Sequence, residues 1–314
     1  MTMMFRGQLG TVRHVRVPIG PEPWREDGSF HLVHVGQSAL ILARPVERRQ
    51  GRRSELVALT SRMRGLVPGG ICVPDYAEFA ELSHRLAGNE PVRPAQAPRT
   101  VRLDGWLADP PHLVERVDLR LPPTVLDPRA VARMGSALAA VPVHTPDPVM
   151  DPRAQRELAG PLARAALAAD DLLVEDLLVR LIGAGPGTTP AGDDVVIGVL
   201  ATLSAATGLP RANGLGPAHR LASQVAGLVD QTTAMSRHDL LAAVDGQFAE
   251  HVHGLLRALA DPSLVTATIA HARTWGASSG VDHASGATAA ARAALAHTSD
   301  HLPSRSTHVP RRSA

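Results

Sequence analysis

Near Asp127 the chain changes texture, and that change limits what it can fold into. Upstream, short alternating apolar stretches stand between glycines and prolines. Downstream, long Ala- and Leu-rich segments follow one another with brief Gly, Pro or Ser breaks. Alternation predicts half-buried strands, and 3–4 spacing predicts helices. The fold class expected is therefore α+β, a mixed β-rich region over 1–126 followed by a helical bundle over 127–298. The polar, basic stretch 299–314 reads as a disordered tail.

Within the first region, "TVRHVRV" reads as a strand, and "FHLVHV" with "SALILAR" reads as a hairpin turning at Gly36. "GGICVP", "RTVRLDGW" and "LVERVDLRL" supply further strands. "SELVALTSRM" and "YAEFAELSHRLAG" have helical spacing, the second ending at Gly88. In the second region Asp127-Pro128 is a helix start. The stretch from Asp151 to Gly183 is helical with a break expected near Pro161.

Composition excludes several classes. Aromatics make up 3% of the 314 residues, so the core must be aliphatic. There is no lysine, which removes Schiff-base and P-loop chemistry. The net charge of +2 comes from scattered arginines, and the one dense run, Arg48 to Arg53, reads as a solvated loop. With almost no stacking platforms, nucleic acid is not an expected partner. One cysteine, Cys72, rules out an internal disulfide and reads as an inert core thiol. The opening "MTMMFRGQLG" lacks the apolar core of a signal peptide, and no apolar run spans a bilayer, which predicts a cytoplasmic protein.

Chemistry concentrates in three segments. The first is "GAGPGTTPAGDD", Gly183 to Asp194. Pro190 suits the first helical position and Thr189 the N-cap. Gly183, Gly185 and Gly187 permit unusual φ, and their amides beside a helix start could face an anion. Asp193 and Asp194 fall in the opening turns, where carboxylates suit the helix dipole. They hold a Mg²⁺ bridging to the ligand, or one packs inward while the other meets an amide or hydroxyl. The alternative is a glycine-rich turn with a cap and two dipole-matched acids.

The second segment, "DQTTAMSRHDLLAA", carries Thr232 and Thr233 between two helices, as caps or ligand hydroxyls. Ser236 and Asp239 have capping-box spacing. The third, "TWGASSGVDHASG", fits G-x-S-x-G but lacks the strand before it and the acid and histidine after it. It reads as a small-residue helix connection, with Ser278, Ser279 and Asp282 as caps or binding groups. His251 and His253 do not share a helical face, so a zinc site is not expected.

Together, "GAGPGTTPAGDDVVIGVLATL", "TTAMSRHDLLAAVDGQFAEHVHGLL" and "GASSGVDHASG" resemble the AllH-like family over Leu181 to Gly286. Ala191 stands where that family often has Ser, and Ala277 where it often has His or Thr. The resemblance implies a subunit of a carbamoyltransferase-type enzyme, acting on oxamate in allantoin breakdown with an FdrA-like subunit and another partner. On this reading, a small anionic or amide ligand such as carbamoyl phosphate or oxamate lies at helix N-termini. Gly185, Gly187, Thr188 and Thr189 hold the anion, and Asp193 and Asp194 act as catalytic or Mg²⁺-binding groups. Thr232, Thr233, Ser278, Ser279 and Asp282 complete the wall. The other reading is a non-catalytic scaffold or ligand-sensing subunit whose motifs only cap helices.

Overall fold

The computed structural model describes residues 12, 14–19, 29–48, 51–87, 100–102, 113–142, 152–209 and 215–300. The fold is α+β. The N-terminal part forms a seven-stranded sheet of β1 (His14–Pro18), β2 (Ser29–Val35), β3 (Ala39–Arg48), β4 (Gly51–Ser61), β5 (Ile71–Val73), β6 (Thr100–Arg102) and β7 (Leu113–Val117). The spatial order is β6-β2-β3-β4-β5-β1-β7. The β4–β5 and β1–β7 pairs are parallel and the others antiparallel.

The expected hairpin around Gly36 is β2–β3. "SELVALTSRM", however, is not a helix. Its first eight residues belong to β4, which pairs with β3 from Ala39 opposite Thr60 to Arg48 opposite Gly51. The reason is burial on both faces. Leu40, Leu42, Val57 and Leu59 join one core with Phe79 and Leu82 of α1 (Tyr76–Ala87). Ile41, Leu56 and Ala58 face the other way, onto a cavity. With apolar residues needed on both sides, the period-2 signature disappears. Helix α1 matches its expected start. Gly88 and the rest of "RTVRLDGW" beyond Arg102 lie outside the described residues, as do Arg49, Gln50 and 301–314.

The helical part contains α2 (Pro128–Ala139), α3 (Arg153–Ala168), α4 (Asp171–Leu181), α5 (Ala191–Ala205), α6 (Pro217–Leu228), α7 (Ala234–Val244), α8 (Glu250–Ala260), α9 (Val265–Ala272) and α10 (Ser279–Asp300). Asp127 caps α2 as expected, its carboxylate accepting from the Ala130 N–H at 2.8 Å. Pro161 does not break α3. The helix, buttressed by α4 and α10, runs through it and ends at Ala169, which adopts a left-handed φ of 59°. "GASSGVDHASG" is also more than a connection, since α10 begins at Ser279 and absorbs Gly280 and Gly286.

Helix α5 is central, buried everywhere except Ser204. A polar face is not needed there, and the sequence offers none after Asp194. It packs on α10 at glycines. A β-carbon on Gly198 would lie 2.2 Å from the His283 carbonyl oxygen, and one on Gly286 would lie 2.2 Å from that of Val195. Such close approach brings the N-terminal turns of α5 and α10 side by side.

Polar ties join the sheet to the helices. Arg16 of β1 donates two bonds to Glu250 of α8, at 2.9 and 2.6 Å. Glu250 also accepts from the Leu66 N–H at 2.8 Å. Partial burial alone would raise the Glu250 carboxyl, but Arg16 and the Leu66 N–H outweigh it and hold it below the usual range. His238 meets the Pro68 carbonyl at 2.9 Å, and the Trp275 indole N–H donates to the Arg64 carbonyl at 3.1 Å. These contacts fix the 62–70 segment against α7, α8 and the turn before α10. Cys72 is buried and unpaired, as expected of a core thiol.

Candidate functional site

Between the β3–β4 face and the helices lies a cavity of about 590 Å³. The glycine-rich segment forms one wall. Gly183, Gly185 and Gly187 all have positive φ, at 77°, 118° and 94°, a conformation glycine adopts without strain. They differ in what they do. A β-carbon on Gly183 would strike the Gln231 carbonyl oxygen at 2.7 Å, and one on Gly185 the Ala191 nitrogen at 2.8 Å. Gly187 would meet nothing within 4 Å and lines the cavity. The first two glycines fold the turn, and the third exposes it.

The three motifs converge. Thr189 is not the N-cap of α5. That place belongs to Pro190, whose carbonyl accepts from the Asp193 and Asp194 N–H groups at 3.0 and 3.3 Å. The Thr189 hydroxyl instead meets the Ser279 hydroxyl at 3.0 Å. The Thr233 hydroxyl donates to the Thr188 carbonyl at 2.5 Å and accepts from the Ser236 N–H at 3.1 Å, so Thr233 is the cap of α7. Ser236 is therefore not a cap, and its buried hydroxyl turns toward the Asp193 carboxylate. Gly187, Thr188, Thr189, Thr233, Ser278 and Ser279 all line the cavity.

Other expected site residues turn away from it. Asp193 accepts from the Gly183 N–H at 2.8 Å and from the Thr232 hydroxyl at 2.5 Å, one on each carboxylate oxygen. It is a clasp that closes the turn. Gly185, Thr232 and Asp193 do not line the cavity, and neither does Asp282. Asp282 is fully buried and bonded to Arg156 of α3 at 2.6 Å. With both Asp193 oxygens engaged, the aspartate pair does not fit a shared Mg²⁺. Among the described residues, no group of three or more His, Cys, Asp or Glu could hold a metal.

Asp194 does reach the cavity. It is 1% exposed, and its Oδ2 has no hydrogen-bond partner. Its Oδ1 lies 3.4 Å from His283 Nε2, and His283 Nδ1 lies 3.1 Å from His251 Nε2. The His251 ring stacks on Trp275 with centroids 3.4 Å apart, and the Arg64 guanidinium carbon lies 3.7 Å from the Trp275 ring centre. His251 Nδ1 is buried without a partner. Asp239 of α7, with the spacing of a capping box, lines the cavity instead.

Electrostatics here are dominated by burial. Desolvation pushes the Asp194 carboxyl well above the usual range, and nearby Asp282, Asp239 and Asp193 add to it while the Ser279 hydroxyl opposes. Desolvation likewise lowers His283, to about 3, and Arg64 adds to that. His251 is held well below its ordinary value by burial and by the cationic groups around it. Both imidazoles are therefore neutral near pH 7. Arg64 is also pulled down by desolvation, against which Asp239 and Asp194 act. Among the described residues its guanidinium has no ion-pair partner.

Arg64, Trp275, His283 and the cavity-facing position of Asp239 were not foreseen. Trp275 and His283 sit inside "TWGASSGVDHASG" and Asp239 inside "DQTTAMSRHDLLAA" without a motif role that points to the cavity, and Arg64 lies outside every motif, 211 positions from Trp275. The one available signal was Trp275 itself, a rare aromatic directly beside "GASSG".

The fold and site define an α+β chain whose helical half presents a glycine- and threonine-rich wall to a largely apolar cavity with a few convergent polar groups. Residues 181–291, about a third of the chain, match the family model described as oxamate carbamoyltransferase subunit AllH. No curated protein and no solved structure matches the chain. Among the described residues, no helix is long and apolar enough to cross a membrane.

Proposed function

We propose that the chain is a subunit of a carbamoyltransferase-type enzyme whose cavity binds a small anionic amide of the oxamate class. The observation that carries this is Arg64, a desolvated guanidinium at the cavity wall, stacked on Trp275, near Asp239 and Asp194 but in a close ion pair with neither. A desolvated arginine of this kind calls for an anion of planar, two-oxygen shape. Across the cavity, Gly187 to Thr189 and Ser279 offer amides and hydroxyls for the other end of the ligand. The family-model match over 181–291 supports the same chemistry. Carbamoyl transfer needs positioned reactants and a stabilised oxyanion rather than a covalent nucleophile. On this reading an FdrA-like subunit and a further carbamoyltransferase subunit are its partners, and a cytoplasmic location goes with them.

A second reading is a ligand-sensing subunit without turnover. It is favoured by Asp193 and Thr233, whose hydrogen bonds are all made within the protein. The test is a thermal-shift series with oxamate and carbamoyl phosphate, with and without Mg²⁺, on the chain alone and with candidate partner subunits. A ligand at 100 times its Kd adds about 2.7 kcal/mol of apparent stability. Arg64→Ala should remove the oxamate shift. A shift of equal size in Arg64→Ala would sink the assignment. Binding without turnover in the assembled subunits would select the sensing reading.

A further inference from the structure

Asp194, His283 and His251 form a line with an unsatisfied polar atom at each end. At one end is Asp194 Oδ2, and at the other His251 Nδ1. The links between are 3.4 Å and 3.1 Å. All three residues belong to the cavity wall and come from different helices, Asp194 from α5, His251 from α8 and His283 from α10. Burying polar atoms without partners costs stability, so the arrangement is unfavourable unless something in the cavity answers it.

The geometry points to His251 as the group that exchanges a proton with the bound ligand, with His283 and Asp194 as positioning residues behind it. This rests on the proposed reading that the cavity holds an anionic amide. The His283 ring also bonds the Ser279 backbone, and along the line itself the rules of a neutral imidazole pair couple the two rings. If Asp194 is a carboxylate, His283 donates to it from Nε2. His283 Nδ1 must then accept from His251 Nε2–H, leaving His251 Nδ1 a bare lone pair. If Asp194 is protonated, every bond reverses and His251 Nδ1 carries hydrogen. In both states the two histidines have the same tautomer.

A proton therefore crosses without leaving a charge on either ring. The ligand's N–H bond breaks and its proton joins His251 Nδ1 as the nitrogen's electron pair forms the new bond to the carbamoyl carbon and that carbonyl's π pair moves onto its oxygen. The Nε2 proton of His251 passes to His283 Nδ1, and the Nε2 proton of His283 passes to Asp194 Oδ1. One negative charge has moved from Asp194 to the ligand. That direction is sensible electrostatically, since Asp194 is buried beside three other aspartates and the ligand lies by Arg64.

The test is ¹⁵N-histidine NMR on the full chain, free and with oxamate, in wild type, Asp194→Ala and His251→Gln. The free protein should show His251 and His283 both neutral and in the same tautomer. Opposite tautomers, or a charged ring at neutral pH, would overturn the proposal. Asp194→Ala should change the tautomer populations of both rings, and a change confined to His283 would refute coupling. Oxamate should shift both rings together, and in His251→Gln, at oxamate concentrations that saturate the variant, the His283 response should be abolished. If oxamate binds and neither ring responds, the proton role is wrong. If oxamate fails to bind, the functional reading fails, and the line is judged on its ligand-free tautomers alone.

Discussion

Asp193 and Asp194 are adjacent in sequence and equally buried, yet they should behave oppositely when changed. Asp193→Ala removes the acceptor for the Gly183 N–H and the Thr232 hydroxyl. The stranded Gly183 N–H costs about 1–3 kcal/mol, and the partly exposed Thr232 hydroxyl costs less. Some of that returns, because burial already penalises the Asp193 carboxylate and raises its pKa. The net loss should be about 2–3 kcal/mol, roughly 3–5 °C in Tm for a chain of this size. Asp193→Asn keeps one acceptor oxygen and turns its amide toward Thr232, whose oxygen can accept. It should cost about 1 kcal/mol or less. Asp194→Asn replaces a carboxyl with an orphaned oxygen and should change stability by under about 1 kcal/mol, while breaking the paired response of His283 and His251 to oxamate. Urea and thermal melts of the three variants, read beside that histidine NMR response, separate the two residues. An Asp193→Ala protein melting within a degree of wild type would refute the clasp. So would an Asp194→Asn protein that loses more stability than Asp193→Ala.

Gly198→Ala should destabilise by about 1–3 kcal/mol or more by urea denaturation, because the added methyl meets the His283 carbonyl at 2.2 Å and must spread α5 from α10; a neutral result would contradict that close contact. Arg16→Ala leaves Glu250 half-buried without its cation and should cost about 1.5–3 kcal/mol. It should also raise the Glu250 pKa, so that the stability Glu250 contributes above its unfolded value is lost at a higher pH, as urea midpoints against pH would show. His283, at about 3 when folded against 6.5 unfolded, binds its proton only in the unfolded chain between those values. Stability from this residue is thus present above pH 6.5 and falls as pH drops toward 3, at up to about 1.4 kcal/mol per unit. The wild-type minus His283→Gln difference isolates that slope from the opposite trend of Asp194, and a flat difference would argue against a buried neutral ring.

Much of the site was legible because its backbone requirements are written in special residues. Three glycines at alternate positions announced three positive φ angles, and Asp127-Pro128 announced a helix start. The convergence of the Thr188–Thr189, Thr232–Thr233 and Ser278–Ser279 corners followed from small residues at helix ends. Individual roles were less legible. Thr189 and Asp193 both suit a helix start, and only tertiary contacts decide that one reaches Ser279 and the other Thr232. β4 was misread because both its faces are covered, one by α1 and one by the cavity, which erases alternation. Pro161 was expected to interrupt α3, but packing on α4 and α10 outweighs one missing backbone bond. Arg64 and the His251–His283 pair left no local trace, since their meaning arises only when distant segments fold together.

The two banks of the cavity come from different stretches of chain: strands and the 62–70 segment on one side, the 181–291 helices on the other. On the proposed reading, substitutions on the strand bank would retune which guest is admitted, while the opposite bank keeps its glycine-rich turn unchanged. Chains alike across the helical bank can in this way come to carry different cargoes.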